Sequence, residues 1–188
     1  MNFAISACGR GGQWERALDL LHRSEDGNVW DVYCWSSAID ACGRAGKWER
    51  ALALVEEMRT VGVEPNVFSY NAAITACRNG GEWRRAVSLL RELPDSGVAP
   101  DVISYSAVIS AYGDGGRWQE AVALLRELPA AGITPDVICY TASISACATG
   151  GAWEQALLLL REMSEKGISP TASSYSAAIS ACGNGRKW

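Results

Sequence analysis

Residues 67–101 read VFSYNAAITACRNGGEWRRAVSLLRELPDSGVAPD, and most of the chain is a copy of this stretch. Tyr70, Ala73, Ile74 and Cys77 fall at i, i+3, i+4 and i+7, and Trp83, Ala86, Val87, Leu90 and Leu93 repeat that spacing, so two amphipathic helices are predicted. Gly80-Gly81 between them supplies the backbone freedom for a tight reversal, and Ser69 is placed to cap the first helix through its hydroxyl. Pro94 and Gly97 are expected to stop the second helix, and Pro100 cannot continue it. An isolated pair of helices of about 12 residues is marginal in water, so each unit must bury its apolar stripe against another copy.

The tryptophans give the period. Trp14, Trp48, Trp83, Trp118, Trp153 and Trp188 are separated by 34, 35, 35, 35 and 35 residues, the mark of a stacked repeat array. Full repeats are read at 32–66, 67–101, 102–136 and 137–171, with a partial copy at 1–31 and another at 172–188. All 188 residues form one array, with no linker between domains. In the first copy the closing loop is one residue short and lacks its proline. Pro94 and Pro129 fall late in the second helix, next to the position of Met58 and Met163 in other repeats, so those two second helices are expected to end about a turn earlier. A tryptophan at the same step of every apolar stripe is read as core packing rather than as a base-stacking surface. No signal or transit segment is recognisable, Met1 begins inside a helix-like copy and Trp188 stops where a second helix would start. Both ends therefore look cut, and a fragment of a longer array is expected.

Hydrophobic content of 48% is ample for a continuous core, but no apolar run reaches the roughly 18 residues that span a bilayer, so no membrane partner is expected. Of the seven cysteines, Cys8, Cys42, Cys77, Cys147 and Cys182 share one repeat position, with Tyr112 in the remaining copy. Equivalent positions in stacked helices lie roughly 8–10 Å apart, beyond disulfide reach, so they are read as small buried hydrophobes. There is no CxxC and the only histidine is His22, which argues against a zinc site; no metal or cofactor is expected.

Together these features resemble the pentatricopeptide repeat family: the 35-residue period, the openings VFSYN, VISYS and VICYT, the W-x-x-A-L/V-x-L-L-x-E-L/M second helix and the closing G-V/I-x-P-D/N. The related tetratricopeptide repeat is set aside because its W-x-x-L-G-x-x-Y first helix is absent. The resemblance implies an all-α fold, a right-handed α-solenoid of stacked helix-turn-helix repeats. It also implies a groove along the first helices that binds single-stranded RNA, one base per repeat.

By the same resemblance, the residue after each tyrosine and the residue after each closing proline form the base-selecting pair. These are Ser36 with Asn66, Asn71 with Asp101, Ser106 with Asp136 and Thr141 with Thr171; Asn2 with Asp31 belongs to the partial first copy, and Ser176 lacks a partner. An asparagine offers a donor and an acceptor to a pyrimidine edge, whereas a short hydroxyl leaves room for a purine. The family preferences imply a core of U-A-U-G followed by an unspecified base. Tyr33, Phe68, Ile103 and Ile138, two places before the tyrosine column, are the expected base-stacking residues, a role Ser173 does not suit. Arg10, Arg44 and Arg78, near first-helix ends, are the candidate phosphate contacts, with Asp114, Thr149 and Asn184 in the later copies. A solvated helix-end charge is the alternative for each arginine.

Net charge of −4, from 17 Lys and Arg against 21 Asp and Glu, runs against nucleic-acid binding. Much of the acid, including Glu56, Glu57, Glu92, Glu127 and Glu162, lies on second helices expected to face outward. The expected function is therefore sequence-specific RNA binding in RNA processing, stability or translation, in a chloroplast or mitochondrion by family resemblance. A protein-interaction scaffold of the same fold is the alternative. No catalytic spacing, P-loop or HExxH occurs, so neither an enzyme nor a small-molecule substrate is expected.

Overall fold

The structure, a computed structural model, describes residues 2–22 and 31–184. The closing loop of the partial first copy and Trp188 lie outside the described residues. Among the described residues the fold is all-α, in helix pairs of the predicted 35-residue period. The pairs are α1 (Asn2–Arg10) with α2 (Trp14–His22), α3 (Val32–Arg44) with α4 (Trp48–Thr60) and α5 (Val67–Asn79) with α6 (Trp83–Asp95). They continue with α7 (Val102–Asp114) and α8 (Trp118–Glu127), then α9 (Val137–Thr149) and α10 (Trp153–Glu165); α11 (Ala172–Asn184) stands last.

Two compact units divide at Pro100 and Asp101. In the first, α1, α3 and α5 pack side by side in one layer, and α2 and α4 each pack on their own first helix and on the next. In the second, α7, α9 and α11 make the layer, with α8 and α10 packed in the same way. The tyrosine, isoleucine and cysteine stripe predicted to be apolar is the inside of this layer: Tyr70, Ala73, Ile74 and Cys77 are buried, as are Tyr140, Ile144 and Cys147. Small residues let the first helices approach. A Cβ on Gly43 would stand 2.8 Å from the Ala76 Cβ, and one on Gly113 3.0 Å from that of Ala146.

The first helices are capped by the residue after each closing proline, not by the serine inside. Asn66 is extended (φ −114°, ψ −178°), and its Oδ1 accepts from the backbone N–H groups of Phe68 at 3.0 Å and Ser69 at 3.2 Å. Ser69 is instead a fully buried residue of the first turn. Its position is too far along, because a cap must precede the first helical residue to reach the free N–H groups behind it. Asp31, Asp101 and Asp136 cap α3, α7 and α9 likewise, and Asp101 with Ser104 forms a capping box.

One other expectation is corrected. Pro94 does not shorten its helix: α6 runs to Asp95, as long as α4. In the last turn a proline removes a single donor, and the carbonyls of Glu92 and Leu93 still accept from Ser96 and Val98 while buried Leu93 holds the turn. At Pro129 the α-helix does stop early, and Leu128–Ala131 tightens into a 3₁₀ turn. The tryptophans are half-buried at the first position of each second helix, and Trp118 and Trp153 pack against the core from its edge, in line with the core-packing expectation.

Candidate nucleic-acid interface

In both units an apolar side chain is left in water at one recurring helix position. Tyr33, Phe68, Ile103 and Ile138, all at the second residue of a first helix, are 56, 53, 52 and 59% exposed, although each is flanked by buried neighbours in its own turn. Two residues further on, the tyrosine or tryptophan column turns inward. In the first unit the rings of Tyr33 and Phe68 lie with centroids 6.1 Å apart, tilted by 42°. An open cleft beside them is lined by Ser36, Asp40, Asn71 and Thr75, with Ser6 of α1 at its border.

The base-selecting candidates lie one helical turn from these exposed side chains. Ser36 and Thr141 are half-buried, whereas Asn71 and Ser106 are only 7 and 9% exposed and so present little more than one edge. Ser36 Oγ donates to Val32 O at 2.7 Å, and Ser106 Oγ to Ile103 O at 3.0 Å. The second members of the expected pairs, Asp31, Asn66, Asp101 and Asp136, are the helix caps, each with an oxygen already accepting from backbone N–H; Thr171 Oγ1 accepts from Ser174 N at 3.3 Å. The second member of each pair is thereby immobilised. Asn2 begins α1, but its side chain lies outside the described set. Ser176 is exposed on α11.

The phosphate candidates separate. Arg10 and Arg44 end α1 and α3 at equivalent, exposed positions: Arg10 donates to Ser6 Oγ at 3.2 Å, and Arg44 is paired with Asp40 at 2.8 Å. Arg78 is not their equivalent. It stands one residue earlier, in the column of Gly9, Gly43 and Gly113, which places it about 100° round the helix. The true equivalent is Asn79, whose Nδ2 donates to Gly43 O at 3.1 Å. Asn184 makes the same bond to Ala148 O at 2.9 Å. This cross-repeat bond follows from spacing, but only with the helix register known.

The acidic second helices carry their own cations. Glu57 is paired with Arg50 at 3.0 Å, Glu56 with Arg59 at 2.8 Å and Glu162 with Lys166 at 2.8 Å. The Lys166 hydrogen bond holds the Glu162 carboxyl below the usual carboxylate range. None of the cysteines is in a disulfide, and burial pushes the thiols of Cys42, Cys77 and Cys147 up to about 11. No group of metal-ligating side chains occurs among the described residues, and no helix among them is long and apolar enough to cross a membrane.

Family models match along the chain: the PPR repeat at 1–29 and 103–133, the PPR repeat family at 31–79 and 65–114, and the pentatricopeptide repeat domain at 123–185. The pentatricopeptide repeat protein PPR10 from maize is 33% identical with a TM-score of 0.81 over 100% of this chain. PPR10 in complex with an 18-nt psaJ RNA element matches equally well, over 99%. The chain spans about a quarter of PPR10, 27 and 28% of those two structures. The PPR domain of Arabidopsis thaliana protein-only RNase P 1, solved with tRNA, shares the fold at a TM-score of 0.74 and 14% identity, over 95% of this chain and 94% of that one. No curated protein matches the chain. With motif, helix-pair geometry and family models in agreement along its length, the chain belongs to the pentatricopeptide repeat family.

Proposed function

We propose that this chain binds single-stranded RNA in a sequence-specific way along the first-helix face of each unit, one base per helix pair. The observation that carries this is the set of half-exposed apolar side chains, Tyr33, Phe68, Ile103 and Ile138, each one turn from a polar residue, Ser36, Asn71, Ser106 and Thr141 in turn. Such a side chain gains by covering a base face, which stacks on any aromatic or apolar surface. The polar neighbour then reads the base edge. RNA bound by PPR10, 33% identical, supports the same use of this face.

The reading order implied by the pairs is U-A-U-G followed by a tolerant position. The protein acts by occupancy, without catalysis, in RNA processing, stability or translation in a chloroplast or mitochondrion. A protein-interaction scaffold is the second reading, favoured by the net charge of −4 and by Asp40 beside the cleft. Selection from a random single-stranded RNA pool at low and near-physiological salt separates them. Enrichment of U-A-U-G cores supports the pairs, binding without enrichment retains RNA and discards the pairs, and no binding at low salt favours the scaffold.

A further inference from the structure

Between the two members of a base-selecting pair stands a buried hydroxyl. Ser69 Oγ lies 3.0 Å from Ser36 Oγ and 3.4 Å from Asn66 Oδ1, so it touches both members of the Ser36 and Asn66 pair. Ser174 does the same in the second unit, 2.7 Å from Thr141 Oγ1 and 3.1 Å from Thr171 Oγ1. Both serines are completely buried. In the Ser106 and Asp136 pair this place is taken by Cys139, whose thiol is directed to Val102 O at 3.9 Å.

We infer that Ser69 and Ser174 are positioning residues that set which hydrogen-bonding face each pair presents to a base. The inference rests on the RNA-binding reading above and adds residues to it. Proton counting gives the reason. Ser36 has one hydroxyl proton and spends it on Val32 O at 2.7 Å, so the single Ser69 proton takes the shorter of its two contacts, to Ser36 at 3.0 Å rather than to Asn66 at 3.4 Å. Ser36 then meets a base only as an acceptor, with one lone pair taken by Ser69 and one left. An acceptor suits an exocyclic amino group, such as that of adenine, and penalises a carbonyl at that place. Without the Ser69 hydroxyl, Ser36 is free to rotate and to donate, while Asn66 keeps its cap through Phe68 and Ser69 N–H. A thiol is a poor substitute because it is a weak donor with a longer reach.

The test uses the full chain and RNAs of the form U-N-U-G, with each of the bases at N, together with U-A-U-N for the fourth position. In wild type, adenine is preferred at the second position. Ser69→Ala should reduce the spread of affinities at that nucleotide by about fivefold, the worth of one hydrogen bond, and leave the U-A-U-N spread unchanged. Cys139→Ser should sharpen the fourth position, a gain that a misfolded variant would not give. A purely structural role would instead lower the unfolding midpoint and weaken all RNAs alike. If wild type discriminates at the second position and Ser69→Ala discriminates equally, the relay is wrong and RNA reading stands. If wild type shows no discrimination there, the pair reading falls and the relay with it.

Discussion

The indole of Trp48 fills the space that a side chain on Gly80 would need: a Cβ placed there would lie 2.2 Å from Trp48 Cδ1. Trp118 stands against Gly150 in the same way, at 2.1 Å. Each tryptophan thus leans from the start of one second helix onto the turn of the next repeat. Gly80 has an ordinary φ of −82°, so this contact, and not the backbone, requires glycine there; its neighbour Gly81, at φ +76°, is required by the backbone.

Gly80→Ala separates the two causes. Helix propensity alone would stabilise the variant by about 0.5–1 kcal/mol, whereas displacement of the indole costs about 1–3 kcal/mol. Urea unfolding should show net destabilisation, and the same substitution in a Trp48→Ala background should not. Stabilisation in the wild-type background would refute the contact.

Phe68→Ala should weaken RNA of any sequence by about 1–3 kcal/mol, the value of one stacked base. Because Phe68 is half-exposed, its unfolding free energy should change by no more than about 0.5 kcal/mol. Binding isotherms and denaturation on the same variant check both halves.

Asn71→Ser should move the preferred base at the third nucleotide of the core from uracil towards guanine. Selected RNAs that keep uracil at that place would show that Asn71 does not read it.

The Arg44 ion pair with Asp40 makes two substitutions act in opposite directions. Arg44→Ala should lower the slope of log affinity against log salt by about 0.7, one phosphate on a single strand. Asp40→Asn frees the cation and removes a charge beside the cleft, and should tighten binding.

The thiols of Cys42, Cys77 and Cys147 are raised by burial to about 11 from an ordinary 9.0, and that of Cys139 to about 12. A thiol favoured in its neutral form stabilises the folded chain fully below pH 9 and loses that contribution as pH rises towards 11. Unfolding midpoints should therefore fall above pH 9. At pH 8, alkylation of these thiols should be about tenfold slower than that of half-buried Cys8 and Cys182, as mass spectrometry of labelled peptides would report.

Legibility differed by scale. The helix pairs and buried stripes were readable, since Tyr70, Ala73, Ile74 and Cys77 need only a 3.6-residue period to face one way. The exposed column Tyr33, Phe68, Ile103 and Ile138 came from the family resemblance, and only burial shows those side chains in water. Serine before an apolar run is a common start signal, so the sequence reads Ser69 as a cap. Asn66 three residues earlier satisfies the same N–H groups, and the choice depends on where the first helical turn actually closes. Arg78 was placed with Arg10 and Arg44 for its charge, although one residue of register separates them.

Sequence by itself determined the period, the all-α class and the residue types of each column, because repetition and helical spacing are local properties of the chain. Tertiary structure alone decided what each column touches. It put Trp48 and Trp118 against glycine turns at the edge of the core, made the closing Asn and Asp residues into helix caps and set Ser69 and Ser174 between the members of a pair. Those contacts join residues about 33 positions apart, and their distances depend on how closely one helix pair settles on the next. That spacing is governed by small residues such as Gly43 against Ala76, whose effect appears only when the helices are packed.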